Sequence, residues 1–177
     1  MVALHIVIPF GYGCHLLPEL RGYLDRIVDF ANKNEPDCFL FCGGFTQRKS
    51  APGVSEAALM RGYVIPRLMY VPARVLLEED SYTTQDNGEK MAKTIHAECL
   101  MDKKTKLTVC CEAIRALKVD YAVRHYLGRR ADIETASWEL MSPFKQLIGT
   151  IYECIAVHFP PLAWYFRNKR IRRAEQI

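Results

Sequence analysis

The stretch FLFCGGFTQRKSAPGVSEAALM, residues 39–60, decides the fold. Phe39-Leu40-Phe41-Cys42 is an apolar run of strand length, and it stops at the pair Gly43-Gly44. A polar loop follows, and Ser55-Glu56 then opens a segment with Ala57, Ala58, Leu59 and Met60. Serine there has N-cap chemistry, so the stretch reads as strand, turn and helix. The same grammar recurs along the chain. Leu4 to Pro9, Val75 to Leu77 and Leu107 to Cys111 read as further strands, with a weaker one near Ile133, and each of the first four is followed by a helical pattern. Such alternation implies crossover units and a parallel sheet with helices on both faces. The expected fold is therefore a three-layer α/β domain with about five strands and extra C-terminal helices.

The helices have legible ends. The first, about Leu17 to Asn32, has Pro18 in its first turn and Leu20, Leu24, Ile27 and Val28 on one stripe. The second starts at Ser55 and is broken or restarted by Pro66. The third begins near Ser81 to Thr84 and continues through Met91, Ile95 and Leu100; the fourth spans about Ala113 to Leu127, with Gly128 as its C-cap. The α/β domain is assigned to residues 1–143, and residues 144–177 to a helical extension with a basic tail, packed on the same domain.

Composition narrows the class. The chain has 177 residues and a formal charge of +4, and from Arg167 onward five basic residues stand against one acid. The body is thus neutral, which disfavours a nucleic-acid-binding face. Seven cysteines, Cys14, Cys38, Cys42, Cys99, Cys110, Cys111 and Cys154, are scattered mostly through apolar runs without a C-x-x-C pair. That usage reads as core thiols in a reducing compartment. The N-terminus enters an apolar strand directly, as a cytoplasmic protein would. Leu147 to Phe166 is hydrophobic but contains Glu153, His158 and Pro160-Pro161, each costly at a bilayer centre. No transmembrane segment is expected.

In an open parallel sheet, ligands bind beyond the carboxyl ends of the strands. Gly11, Gly13, Gly43 and Gly44 fall there, where glycine lets backbone amides approach a ligand, and helix N-termini favour anions. Each feature has a plain structural alternative. A glycine pair is usually a turn, G-Y-G lacks the third glycine of the dinucleotide fingerprint, and Ser55, Ser81 and Thr84 all suit helix caps.

The combination is more specific. Gly43-Gly44, then S-E-A-A-x-M from Ser55, then E-x-x-S-x-x-T-x-x-N as Glu78, Ser81, Thr84 and Asn87, resembles the YdcF/SanA/ElyC family over roughly residues 4–128. The resemblance implies a Rossmann-like domain with a site built from Gly43, Gly44, Ser55, Glu56, Glu78, Ser81, Thr84 and Asn87. It also implies a small-molecule ligand, for which S-adenosylmethionine or a nucleotide is the candidate cofactor, and no family-wide reaction.

One departure stands out. A family pattern like T-S-x-x-H-x-x-R-A meets Thr108 to Ala116 here, with Arg115 and Ala116 in place and Glu112 where the histidine falls. A carboxylate serves as a base or holds a cation, but it is not a switch near neutral pH. Glu112 either takes over such work or pairs with Arg115 at i+3 on the helix. Arg115 is the best candidate for two-point anion contact. Glu56 and Glu78 are candidate acid/base or recognition groups; their plain readings are a helix-dipole residue and a solvated loop charge.

The remaining features carry less. Cys110 and Cys111, at an apolar strand end, make poor nucleophiles, and the histidines His5, His15, His96, His125 and His158 have no metal-ligand spacing. The tail Trp164 to Arg173 joins aromatics to a basic cluster. It admits peripheral contact with an anionic membrane surface, or packing of a terminal helix on the domain.

Overall fold

The computed structural model describes residues 4–98, 100, 104–128, 131–136, 148, 151, 155 and 158–177. The boundary drawn after residue 143, and Cys99 and Cys154, lie outside the described residues. The apolar runs become strands: β1 His5–Pro9, β2 Cys38–Cys42, β3 Arg74–Glu78, β4 Lys106–Glu112 and β5 Asp132–Ala136. Every pairing is parallel, in the order β3-β2-β1-β4-β5. The chain therefore builds outward from β1 to β3 and then returns to the other side of β1 for β4, so strand order reverses between β1 and β4.

Alternate residues of the central strands feed two cores, because successive strand side chains point to opposite faces. Val7, Phe39, Phe41 and Cys110 pack under α1 (Pro18–Asn34) and α2 (Glu56–Val64). Ile6, Ile8, Leu40, Cys42, Val109 and Cys111 pack under α3 (Thr84–Ala97) and α4 (Ala116–Leu127). Helices thus cover both faces. All five residues of β2 are fully buried, which is why its sequence is continuously apolar rather than alternating. Phe39 and Phe41 stack at 5.4 Å between ring centroids, and truncating either is worth about 3–5 kcal/mol.

Local chemistry sets the ends of the helices. Pro18 starts α1, and Leu20, Tyr23, Leu24, Ile27, Val28 and Ala31 form its buried stripe. The Tyr23 hydroxyl reaches the carbonyls of Cys110 at 2.7 Å and Phe10 at 3.2 Å, fastening α1 to the gap between β1 and β4. Ser55 caps α2, with its Oγ accepting from Ala58 N at 2.9 Å. Pro66 converts the end of α2 into a 3-10 turn, Ile65–Arg67. The cap of α3 is Thr83 rather than Ser81 or Thr84, and Leu100 lies beyond its end. A 3-10 turn at Ala113–Arg115 leads into α4, which Gly128 closes at φ 64°. Pro160 opens a final helix, α5 (Pro160–Ala174). Among the described residues, no helix is long and apolar enough to cross a membrane.

Candidate functional site

The carboxyl ends of β1 to β4 bring together the loops singled out in the sequence, and Glu56 joins two of them. Its Oε1 accepts from Gly13 N at 2.7 Å and from the Thr46 hydroxyl. Neighbouring Cys14 N donates to Gln47 Oε1 at 2.7 Å, so two side chains from the region after β2 hold the β1 loop. The glycines explain themselves against this carboxyl. A Cβ on Gly11 would lie 2.2 Å from Glu56 Oε2, and one on Gly43 would lie 2.7 Å from the Glu56 Cβ. A Cβ on Gly44 would meet the Ser81 carbonyl at 2.3 Å. These are close approaches within the protein.

That packing corrects the expectation that glycine amides and the α2 N-terminus stand ready for a ligand. Gly11 N donates to Cys42 O at 2.7 Å, Gly43 N to Glu78 O at 2.9 Å and Gly44 N to Ser81 O at 2.9 Å. At the start of α2, Glu56 N and Ala57 N donate to the carbonyls of Gly44 and Gly43, and Ala58 N to Ser55 Oγ. Each of these donors already has an internal acceptor. The Ser55 hydroxyl in turn donates to Glu79 Oε1.

At the end of β3, Glu78 is buried, not a solvated loop charge. Its Oε1 accepts from Asp80 N at 2.8 Å, whereas Oε2 is buried with no hydrogen-bond partner. Ser81 contacts the same carboxyl and donates to Asn87 Oδ1. Burial pushes the Glu78 carboxyl above its ordinary value, against the pull of Ser81, Asp80 N–H and Lys90.

The strand ends where the order reverses are flanked by Gly11-Tyr12 and by Glu112 to Arg115. Arg115 donates to Gly11 O at 2.9 Å and to Thr84 Oγ1 at 3.0 Å, tying β4 to the β1 loop and to α3. Its guanidinium lies 5.5 Å from the centroid of the Tyr12 ring, and the Tyr12 hydroxyl donates to the Glu112 carboxyl. Burial raises the Glu112 carboxyl, while Tyr12 and the Arg115 charge oppose the shift. Glu112 ends β4 and Arg115 lies in the 3-10 turn after it, so the two do not share an α-helix, and Arg115 instead ties this turn to the β1 loop and to α3. Cys111 is buried and pushed up to about 11, which leaves it a core thiol at neutral pH.

The tail supplies groups that sequence reasoning missed. Ala174 is buried, its carbonyl accepts from Arg48 N at 3.0 Å, and Ile177 O accepts from Ser50 N at 2.7 Å. Arg167 Nε stands 3.6 Å from Asp86 Oδ2. The basic end of α5 thus lies against the loop after β2 and the start of α3. Spacing gave no signal for this, because the partners are 81 to 127 residues away in sequence.

Arg115 thus joins Gly11 and Thr84, Glu56 joins Gly11, Gly13 and Gly43, and Glu78 joins Ser81 and, through it, Asn87. Tyr12, Thr46, Gln47, Asp86 and Arg167 complete the rim. Burial also raises the Glu56 carboxyl, although Thr46, Gly13 N–H, Arg115 and Arg170 favour its ionised form. No protein-family model matches the chain, and no curated protein matches it in sequence.

Proposed function

We propose that the chain binds a small anionic or nucleotide-like molecule, a phosphorylated compound or S-adenosylmethionine, in the crevice between the ends of β1 and β4. It acts on that molecule by hydrolysis or group transfer. The observation that carries this reading is the placement of Glu112, at the end of β4, and Arg115, in the turn that follows, at the reversal point. There a buried carboxyl with a raised pKa stands beside a guanidinium held by two oxygen acceptors. Such a crevice is where open α/β sheets bind their ligands. The resemblance of residues 4–128 to the YdcF/SanA/ElyC family supports the same location.

In this mechanism Arg115 uses its remaining N–H groups to hold the anion and to neutralise charge that develops on it. Glu112 moves the proton, because a carboxyl raised toward neutrality gives and takes protons more readily than one fully ionised. Glu56 and Glu78 hold the loops and supply further carboxyls, and Ser55, Ser81, Thr84 and Asn87 order the polar wall. The protein works in the cytoplasm.

A thermal-shift panel of nucleotides, S-adenosylmethionine and phosphate esters tests the reading, since a ligand that binds the native state raises its melting temperature. At least one anionic member stabilises the native chain and stabilises Arg115→Gln less. No shift across the panel, or equal shifts in both proteins, refutes it.

A second reading rests on the exposure of Trp164 and Tyr165 on α5. In it the chain is a ligand-binding sensor that meets an anionic membrane surface or a protein through its tail. Co-sedimentation with phosphatidylserine vesicles separates the two, because Trp164→Ser with Tyr165→Ser abolishes binding only in the second.

A further inference from the structure

A surface cleft of about 610 Å³ is lined by α2, by the start of α1 and by the loop ahead of α2. That size falls within the range of about 300–1,000 Å³ usual for small-molecule sites. Leu16, Val54, Ala58 and Leu59 supply its apolar lining. None of the residues lining it belongs to the crevice between β1 and β4.

The charged residues of this lining are Arg21 and Arg67, with no acid beside them. Arg21 Nε donates to Leu16 O at 3.1 Å, and Arg67 Nη1 donates to Tyr63 O at 2.7 Å. The Arg67 guanidinium also lies 3.8 Å from the centroid of the Tyr63 ring, which itself lines the cleft. The Tyr63 hydroxyl donates to Asp25 Oδ1 at 2.8 Å and so links α2 to α1. Each guanidinium is thus anchored at one nitrogen, and among the described residues neither enters an ion pair. Most of the N–H donors of each fork remain for an anion, and their planar geometry matches a carboxylate.

Gly62 lines the same cleft from within α2, where glycine weakens a helix relative to alanine. A Cβ there would meet nothing within 4 Å, so packing does not demand glycine as it does at Gly11, Gly43 and Gly44. The missing side chain leaves this part of the lining clear.

We propose that the cleft is a ligand site apart from the crevice, for a small carboxylate with an apolar body, an acyl or aryl acid. The body rests on Leu16, Val54 and Leu59, and the carboxylate takes the remaining donors of Arg21 and Arg67. A nucleotide, polar over most of its surface, gains little from this lining. The site stands whether or not the crevice binds a phosphorylated molecule.

The test is calorimetric titration of the full chain with decanoate, naphthoate and indole acetate, each beside its neutral amide. The native chain binds at least one of the acids, and binds the matching amide about tenfold more weakly. Arg21→Gln and Arg67→Gln each weaken the acid by about tenfold, whereas Arg26→Gln, exposed on α1 and outside the lining, leaves it unchanged. Gly62→Leu abolishes binding without lowering the melting temperature, because leucine fills the cleft and favours a helix over glycine. If Gly62→Leu melts lower, the amides and the arginine variants decide the matter. Binding of none of the acids, equal affinity for acid and amide, or full affinity in a stably folded Gly62→Leu each overturns the proposal. Equal loss in all three arginine variants overturns it too, as a general charge effect. Acid binding that adenosine monophosphate displaces would belong to the crevice, and would also remove the separate site.

Discussion

A methyl group on Gly11 would lie 2.2 Å from Glu56 Oε2, so the carboxyl of Glu56 occupies the space of a side chain at residue 11. The strand ends are held together by this exclusion and by the hydrogen bonds from Gly13 and Thr46. Glycine is thus required by contacts inside the protein, and the consequences differ sharply between sites.

Gly44→Ala drives a Cβ into the backbone carbonyls of Ser81 and Glu79, at 2.3 and 2.8 Å, which have no side-chain freedom with which to yield. Chemical denaturation of this variant shows a loss of about 3 kcal/mol. Gly22→Ala, in mid-helix with nothing within 4 Å, gains about 0.5–1 kcal/mol. Equal effects at the two positions would show that the close approach at Gly44 is absent.

Arg115→Lys keeps the charge and removes the fork that joins Gly11 O to Thr84 Oγ1. Stability falls by about 1–3 kcal/mol, and amide exchange accelerates in both the β1 loop and the first turn of α3. A fall confined to α4 would mean that Arg115 does not organise the crevice.

Glu78 yields a pH dependence whose sign follows from burial. Its pKa is raised above 4.5 in the folded chain, so the folded state holds the proton more tightly than the unfolded state. Its contribution to stability is full below about pH 4.5 and is lost as pH rises through the raised value. Glu78→Gln keeps an acceptor for Asp80 N–H and cannot ionise. Melting curves from pH 4.5 to neutrality diverge, with the variant gaining on the native chain as pH rises; parallel curves would contradict a buried, under-bonded carboxyl.

Ala174→Trp introduces a large side chain where the tail meets the loop after β2. The helix undocks, and exchange of the Arg48 and Ser50 amides rises while the core amides of β2 are unchanged. Unchanged exchange at Arg48 and Ser50 would show that the tail does not rest there.

Much of the architecture was legible because the signals are local. Phe39 to Cys42 is apolar and of strand length, Ser55 carries its cap chemistry in one side chain, and Gly128 stops α4 where the pattern ends. Caps with competing hydroxyls were not legible: Ser81, Thr83 and Thr84 all suit the role, and geometry gives it to Thr83. The site was legible as a set of loops, because parallel strands of alternating units place their following loops on one edge. What those loops do with their polar groups was not. The amides of Gly11, Gly43 and Gly44 are engaged by carbonyls of β2, β3 and the loop after β3, and those partners depend on register and close packing rather than on spacing. The tail illustrates the same limit, since the basic cluster gave its charge but not the loop and helix against which it lies.

The most direct test of the account is a map of backbone amide shifts in the native chain during titration with adenosine monophosphate. The largest changes are expected to cluster at Tyr12, Gly13 and Glu112 to Ala116. Changes concentrated instead at the 610 Å³ surface cleft lined by Leu16, Val54, Leu59 and Tyr63, or no changes at all, would contradict it.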